Sequence, residues 1–177
     1  MPKPLKIVLH GPESTGKTEL CAQLAAHFRT VWTPEFARHF LDVKGEICAE
    51  DVWPIFYGAA AWQIADEKRA RKLWFCDTDA LATKIYAAHY YGAKSPEITE
   101  FARCHLADFY LLCDIDLPWT PDGAQRDLGH LRPQMMRKFR DELEFYGAPF
   151  ALVRGFGETR FAAALRALQT QFPDASM

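Results

Sequence analysis

Several things are missing from the 177-residue sequence, and each absence excludes a class of protein. No uninterrupted apolar stretch approaches the ~18 to 20 residues needed to span a bilayer; the longest, such as residues 56–62, fall far short, so no transmembrane helix is expected. Charge of one sign is also lacking: 21 Lys and Arg against 23 Asp and Glu leave a net charge of −2. No strong basic field exists to hold a nucleic-acid backbone or an anionic membrane, so any phosphate site must be local. Paired cysteine spacings are lacking too: Cys21, Cys48, Cys76, Cys104 and Cys113 are odd in number and widely scattered, mostly among apolar neighbours. That suits neither a disulfide framework nor paired zinc ligands, and the reading is reduced core thiols in a cytoplasmic protein. Met1-Pro2-Lys3-Pro4 runs directly into a strand-like segment and a glycine-rich loop rather than into the apolar core of a secretory signal. Internal repeats and low-complexity segments are absent as well.

What remains is ordinary globular usage, 49% hydrophobic and 25% charged, in a length that fits one domain spanning residues 1–177. Short β-rich runs alternate with helical ones. Strands are predicted at residues 5–9, 31–33, 73–76, 109–113 and 150–153. Helices are predicted from Lys17, over residues 35–41, 50–72 and 80–91, and from a Ser95 cap and Pro96 through Leu106. The last helix carries Phe161, Leu165, Leu168 and Phe172 as an amphipathic stripe. Nearly continuous apolar strands separated by helices imply an α/β fold, a parallel sheet covered on both faces. The charged run 66–72 reads as the solvated face of the long third helix, and His10 as a strand-end residue packed under the loop that follows.

One motif carries most of the chemical information. Gly11-Pro12-Glu13-Ser14-Thr15-Gly16-Lys17-Thr18 fits Gly, any four, Gly-Lys-Ser/Thr, and it lies between a buried strand and a helix, as a phosphate-binding loop must. With ~0.07 for each Gly and Lys and ~0.13 for Ser or Thr, a chance match in a chain this long has odds under about one in a hundred. Backbone N–H groups of Glu13, Ser14, Thr15 and their neighbours would curl around phosphates, Lys17 would reach the β and γ phosphates, and Thr18 would offer its hydroxyl to Mg²⁺.

A phosphate loop of this kind works with a carboxylate at the end of a neighbouring strand. Asp77 occupies that place, with Asp79 two residues on as a candidate substrate contact; each reads alternatively as a cap of the following helix. Glu35, after the second strand, lies at another carboxyl edge, where open α/β sheets bind ligands, and Arg38 is three residues further. Glu35 is the first candidate base for an acceptor hydroxyl, Asp77 the second. Arg38 would steady the acceptor or the transferred phosphoryl group, unless the two form an ordinary surface pair. Residues 119–133 are rich in turn formers and carry Arg126 and Arg132, so they read as a lid able to bring a guanidinium to the phosphoryl group, or as a solvated loop. Trp119 either stacks on an acceptor or anchors the hinge, and Asp122 stands beside it in the lid.

The P-loop sequence, the Glu35/Arg38 pair, Asp77-Thr78-Asp79 followed by Thr83, Tyr90-Tyr91-Gly92, and Pro118-Trp119 with Asp122-Gly123 together resemble the ribosylnicotinamide kinase domain of the NadR family, in the same order over nearly the whole chain. The resemblance implies a P-loop kinase fold with a five-strand sheet ordered 2-3-1-4-5. It implies ATP and Mg²⁺ as cofactors, and transfer of phosphate to the 5′-hydroxyl of nicotinamide riboside. Full-length members carry an adenylyltransferase domain ahead of the kinase; this chain begins ten residues before its P-loop, so no adenylyl step is expected of it. A kinase for another nucleoside or small alcohol would use the same parts. A nucleotide-binding switch with slow hydrolysis would need no acceptor at all.

Overall fold

A computed structural model describes residues 3–120 and 129–173. Five strands, β1 (Leu5–His10), β2 (Trp32–Thr33), β3 (Leu73–Asp77), β4 (Phe109–Cys113) and β5 (Phe150–Val153), form one sheet in the order β2-β3-β1-β4-β5. Every pairing is parallel, and Leu9 of β1 stands beside Asp77 of β3 and Leu111 of β4. The order agrees with the expected 2-3-1-4-5.

Among the described residues six α-helices lie between the strands, α1 (Lys17–His27), α2 (Phe36–Lys44), α3 (Val52–Glu67), α4 (Ala80–Tyr91), α5 (Pro96–Cys104) and α6 (Arg132–Phe145), and α7 (Glu158–Gln171) follows β5. Because side chains alternate along a strand, β1 feeds two cores. Ile7 and Leu9 face α1 and α7 together with Phe75, Leu111 and Val153. Val8 faces the opposite layer, where Trp74, Cys76, Tyr110 and Leu112 meet Leu81 and Ile85 of α4 and Met135 and Phe139 of α6. Burial on both faces explains why these strands read as unbroken apolar runs.

Element boundaries differ from expectation in informative ways. The helix predicted over 50–72 is shorter: a 3-10 turn at Ala49–Asp51 precedes α3, and the chain leaves the helix after Glu67 to reach β3. Residues 68–72 are therefore a connection rather than a helix face, and Asp66, inside the charged run, accepts a hydrogen bond from Thr33 Oγ1 at 3.0 Å. Arg132, expected in a loop, opens α6 after a 3-10 turn at Gly129–Leu131. Ser95 caps α5 as expected, its Oγ accepting from the Ile98 N–H at 3.1 Å. All five cysteines are free thiols; Cys21, Cys76 and Cys113 are buried, while Cys104 is exposed and departs from the core-thiol reading. No helix among the described residues is long and apolar enough to cross a membrane.

Candidate active site

The carboxyl ends of β1, β3 and β4 converge on one cavity of about 570 Å³. Its floor is the P-loop. Gly11 (φ 130°) turns the chain out of β1 so close to β4 that a Cβ there would lie 2.8 Å from the Cys113 carbonyl oxygen, which only glycine avoids. Thr15 Oγ1 and Lys17 Nζ both donate to the Pro12 carbonyl, at 2.8 and 2.7 Å, so the loop is self-bonded and its lysine is folded over it. Ser14 is held from the far side: its Oγ donates to Thr120 O at 3.0 Å, and Arg132 donates to Ser14 O at 3.0 Å and to Leu117 O at 2.8 Å.

Thr18, the second residue of α1, donates to Asp77 Oδ2 at 2.5 Å. Asp77 is 2% exposed, and its Oδ1 has no hydrogen-bond partner among the described residues. Burial pushes its carboxyl above the usual range, opposed by Lys17, by the Thr18 bond and by Arg38. Glu35 precedes α2 and shares the cavity wall with Arg38. Burial first, and the Asp77 charge second, push Glu35 up to about 7, against the pull of Lys17 and Arg38. The sequence-predicted Lys17, Thr18, Glu35, Arg38 and Asp77 are thus brought together.

Others fall elsewhere. Asp79 is 4% exposed and turned away from the cavity: Oδ1 accepts from the N–H groups of Leu81 and Ala82, and Oδ2 accepts from Tyr110 Oη at 2.7 Å. It caps α4, the alternative that its position after a strand had allowed. Trp119 lies outside the cavity wall, packed so tightly on Gly129 that a Cβ there would meet its ring at 2.9 Å. Arg132 is buried beneath the P-loop, spanning carbonyls. Asp122 and Arg126 lie outside the described residues. His10 is fully buried with ring contacts to Tyr110 and Phe139, and burial lowers its pKa to about 4.

The sequence singled out Tyr90 and Tyr91 only as part of the resemblance and gave the aromatic walls no role. Tyr86 and Tyr90, four apart on α4, stack on each other at 5.8 Å and line the cavity with Tyr91 and Phe36. Tyr90 Oη donates to Glu13 Oε1 at 3.1 Å, tying a P-loop carboxylate to α4. The i, i+4 spacing of Tyr86 and Tyr90 next to Thr83 was the available signal. On the other side Phe156, 76% exposed, follows β5; its loop is held by Arg160, which donates to Gly155 O and pairs with Asp116.

Comparisons with known proteins agree with this fold. The trifunctional NAD biosynthesis/regulator protein NadR of Escherichia coli (strain K12) is 30% identical over 128 residues, 70% of this chain, and the chain spans 31% of that relative's length. A NadR protein solved in complex with NR superposes with a TM-score of 0.76 at 21% identity, covering 96% of this chain and 52% of the other. A second NadR structure, in complex with NAD and AMP-PNP, superposes with a TM-score of 0.75 at 19% identity, over 99% of this chain and 51% of the other. The family described as AAA domain matches residues 6–160, and with its P-loop, sheet order and Thr18–Asp77 pair the chain belongs to that family of P-loop proteins.

Proposed function

We propose that this protein transfers the γ-phosphoryl group of ATP to the 5′-hydroxyl of nicotinamide riboside, giving nicotinamide mononucleotide. The observation that carries the reading is one cavity that joins a P-loop and its Thr18–Asp77 pair to walls of tyrosine and carboxylate. The similarity to NadR proteins, one of them bound to NR and another to AMP-PNP, supports the choice of both substrates.

Lys17 would exchange the Pro12 carbonyl for phosphate oxygens when nucleotide enters, and the N–H groups at the start of α1 would face the same charge. Phe156, exposed at the cavity edge, would offer a face to the adenine. Magnesium fits the donor set: Thr18 supplies a hydroxyl, and Asp77 a buried carboxylate with one oxygen unpartnered among the described residues. Bound there, the ion would neutralise charge on the β and γ phosphates. Glu35 would accept the 5′-hydroxyl proton as the oxygen attacks, and Arg38 would steady the phosphoryl group. Positioning and charge stabilisation do most of the work in such a reaction.

Nicotinamide riboside carries a positive pyridinium ring. Tyrosine faces and the carboxylates of Glu13 and Glu35 complement that charge, and cation–π stacking contributes ~0.5 to 2 kcal/mol. The test is kcat/KM with MgATP for nicotinamide riboside against uridine, thymidine and adenosine. The cationic nucleoside should lead by at least an order of magnitude. Preference for a neutral nucleoside would replace it as substrate, and hydrolysis unaffected by any acceptor would identify a switch instead.

A further inference from the structure

Thr78 has a backbone conformation that its own chemistry disfavours. It sits at φ 72°, in the left-handed region, between Asp77 and Asp79. A β-branched residue there crowds its Cβ against the following carbonyl, and the conformation persists only where the surroundings impose it. Its consequence is visible along β3. Leu73 and Phe75 face the α1 layer while Trp74 and Cys76 face the α4 and α6 layer, and Asp77 follows the alternation to meet Thr18 on α1. An extended chain would send Asp79 to the same side, beside Asp77. Instead Asp79 reaches Tyr110 and the first N–H groups of α4. The left-handed step therefore separates two carboxylates, one aimed at the P-loop and one at the core.

The step is held from two sides. The Thr78 N–H donates to Leu9 O at 3.2 Å, and the Thr78 carbonyl accepts from Gln63 Nε2 at 3.3 Å. Gln63 belongs to α3, whose Val52, Ile55 and Ala59 wall the cavity, and whose far end is tied to β2 through Asp66 and Thr33.

We propose that Gln63 is a positioning residue for Asp77: by holding the Thr78 carbonyl it maintains the left-handed step and couples the seating of α3 over the acceptor to the aim of the carboxylate that faces magnesium. The inference rests on the reading of Asp77 as the magnesium carboxylate. Without the amide donor, Thr78 relaxes toward negative φ and Asp77 loses its register with Thr18.

The experiment is calorimetric binding of AMP-PNP, with and without Mg²⁺, to the wild type, Gln63→Leu, Gln63→Glu, Gln63→Leu combined with Thr78→Gly, and Asp77→Asn. Each variant's Tm is recorded alongside. Both Gln63 variants should weaken binding of the magnesium complex about five-fold, the scale of one lost hydrogen bond, and leave metal-free AMP-PNP within two-fold. Gln63→Glu covers the case in which the apolar variant fails to fold. Glycine enters positive φ without a clash, so Thr78→Gly should restore the magnesium-dependent gain. If Asp77→Asn keeps the full gain, the magnesium reading of Asp77 is wrong and the inference falls with it. If Asp77→Asn abolishes the gain while the Gln63 variants keep it, or glycine does not restore it, the role of Gln63 is overturned and that of Asp77 stands.

Discussion

Glu35 shows how much a single residue's surroundings decide. In water its carboxyl would be ionised far below neutrality; here burial and the neighbouring Asp77 charge bring it to about 7. A base must be deprotonated to act, so kcat/KM, which follows the free enzyme, should fall as pH drops below about 7, and Glu35→Gln should lower kcat/KM and flatten that limb of the profile. The same shift has a cost in stability. A carboxyl whose folded pKa is raised favours the folded state at low pH, and that advantage disappears as pH rises through about 7. Glu35→Gln should therefore be more stable than wild type by about 1 to 3 kcal/mol at pH 8, with the difference vanishing below pH 4.5. Equal urea midpoints at pH 8 would show that Glu35 is not held in a buried, charge-crowded place. The residue types at this position were legible beforehand; the shifted proton affinity was not, because it depends on which charge lies across the cavity.

At the scale of elements, strand and helix ends do the positioning. Each strand's alternation chooses a layer, and the residue that follows the strand inherits or breaks that choice. Asp79 breaks it and becomes the cap of α4, with both oxygens engaged. Asp79→Ala would strip two helix N–H groups and the Tyr110 hydroxyl of their partner in a buried setting. A loss of about 2 to 4 kcal/mol is expected, from the cap and the orphaned hydroxyl together. KM for ATP should change little in the fraction that remains folded. A variant as stable as wild type but unable to bind acceptor would return Asp79 to the substrate. The roles of Asp77 and Asp79 could not be separated in the sequence, since the two stand two residues apart at the carboxyl end of one buried strand and each also reads as a helix cap. Three-dimensional divergence at Thr78 separated them.

For the whole molecule, Arg132 is the residue that joins distant parts: it ties the P-loop at Ser14 to the exit of β4 at Leu117 from the first turn of α6. Arg132→Ala should therefore lower Tm and weaken nucleotide binding in proportion, because a scaffold is lost. A fall in kcat of ~10³-fold at unchanged Tm would instead mark an arginine that reaches the phosphoryl group. The parallel sheet was readable in the sequence because strands buried on both faces must be apolar throughout and the helices between them must be amphipathic. The P-loop was readable because phosphate binding at a strand-to-helix turn needs glycines, a lysine and a hydroxyl at set spacings, all local in sequence. Even the order of the strands came only from resemblance, since no local property records which strand lies beside which. The aromatic wall of Tyr86, Tyr90 and Phe36 and the placing of Trp119 on Gly129 were decided by the tertiary structure alone. An aromatic residue gains similar free energy from burial in a core, against a hinge or on a ligand, so its type and spacing do not distinguish these fates. Only the packing of α2, α3 and α4 around the carboxyl edge decides which rings face the cavity.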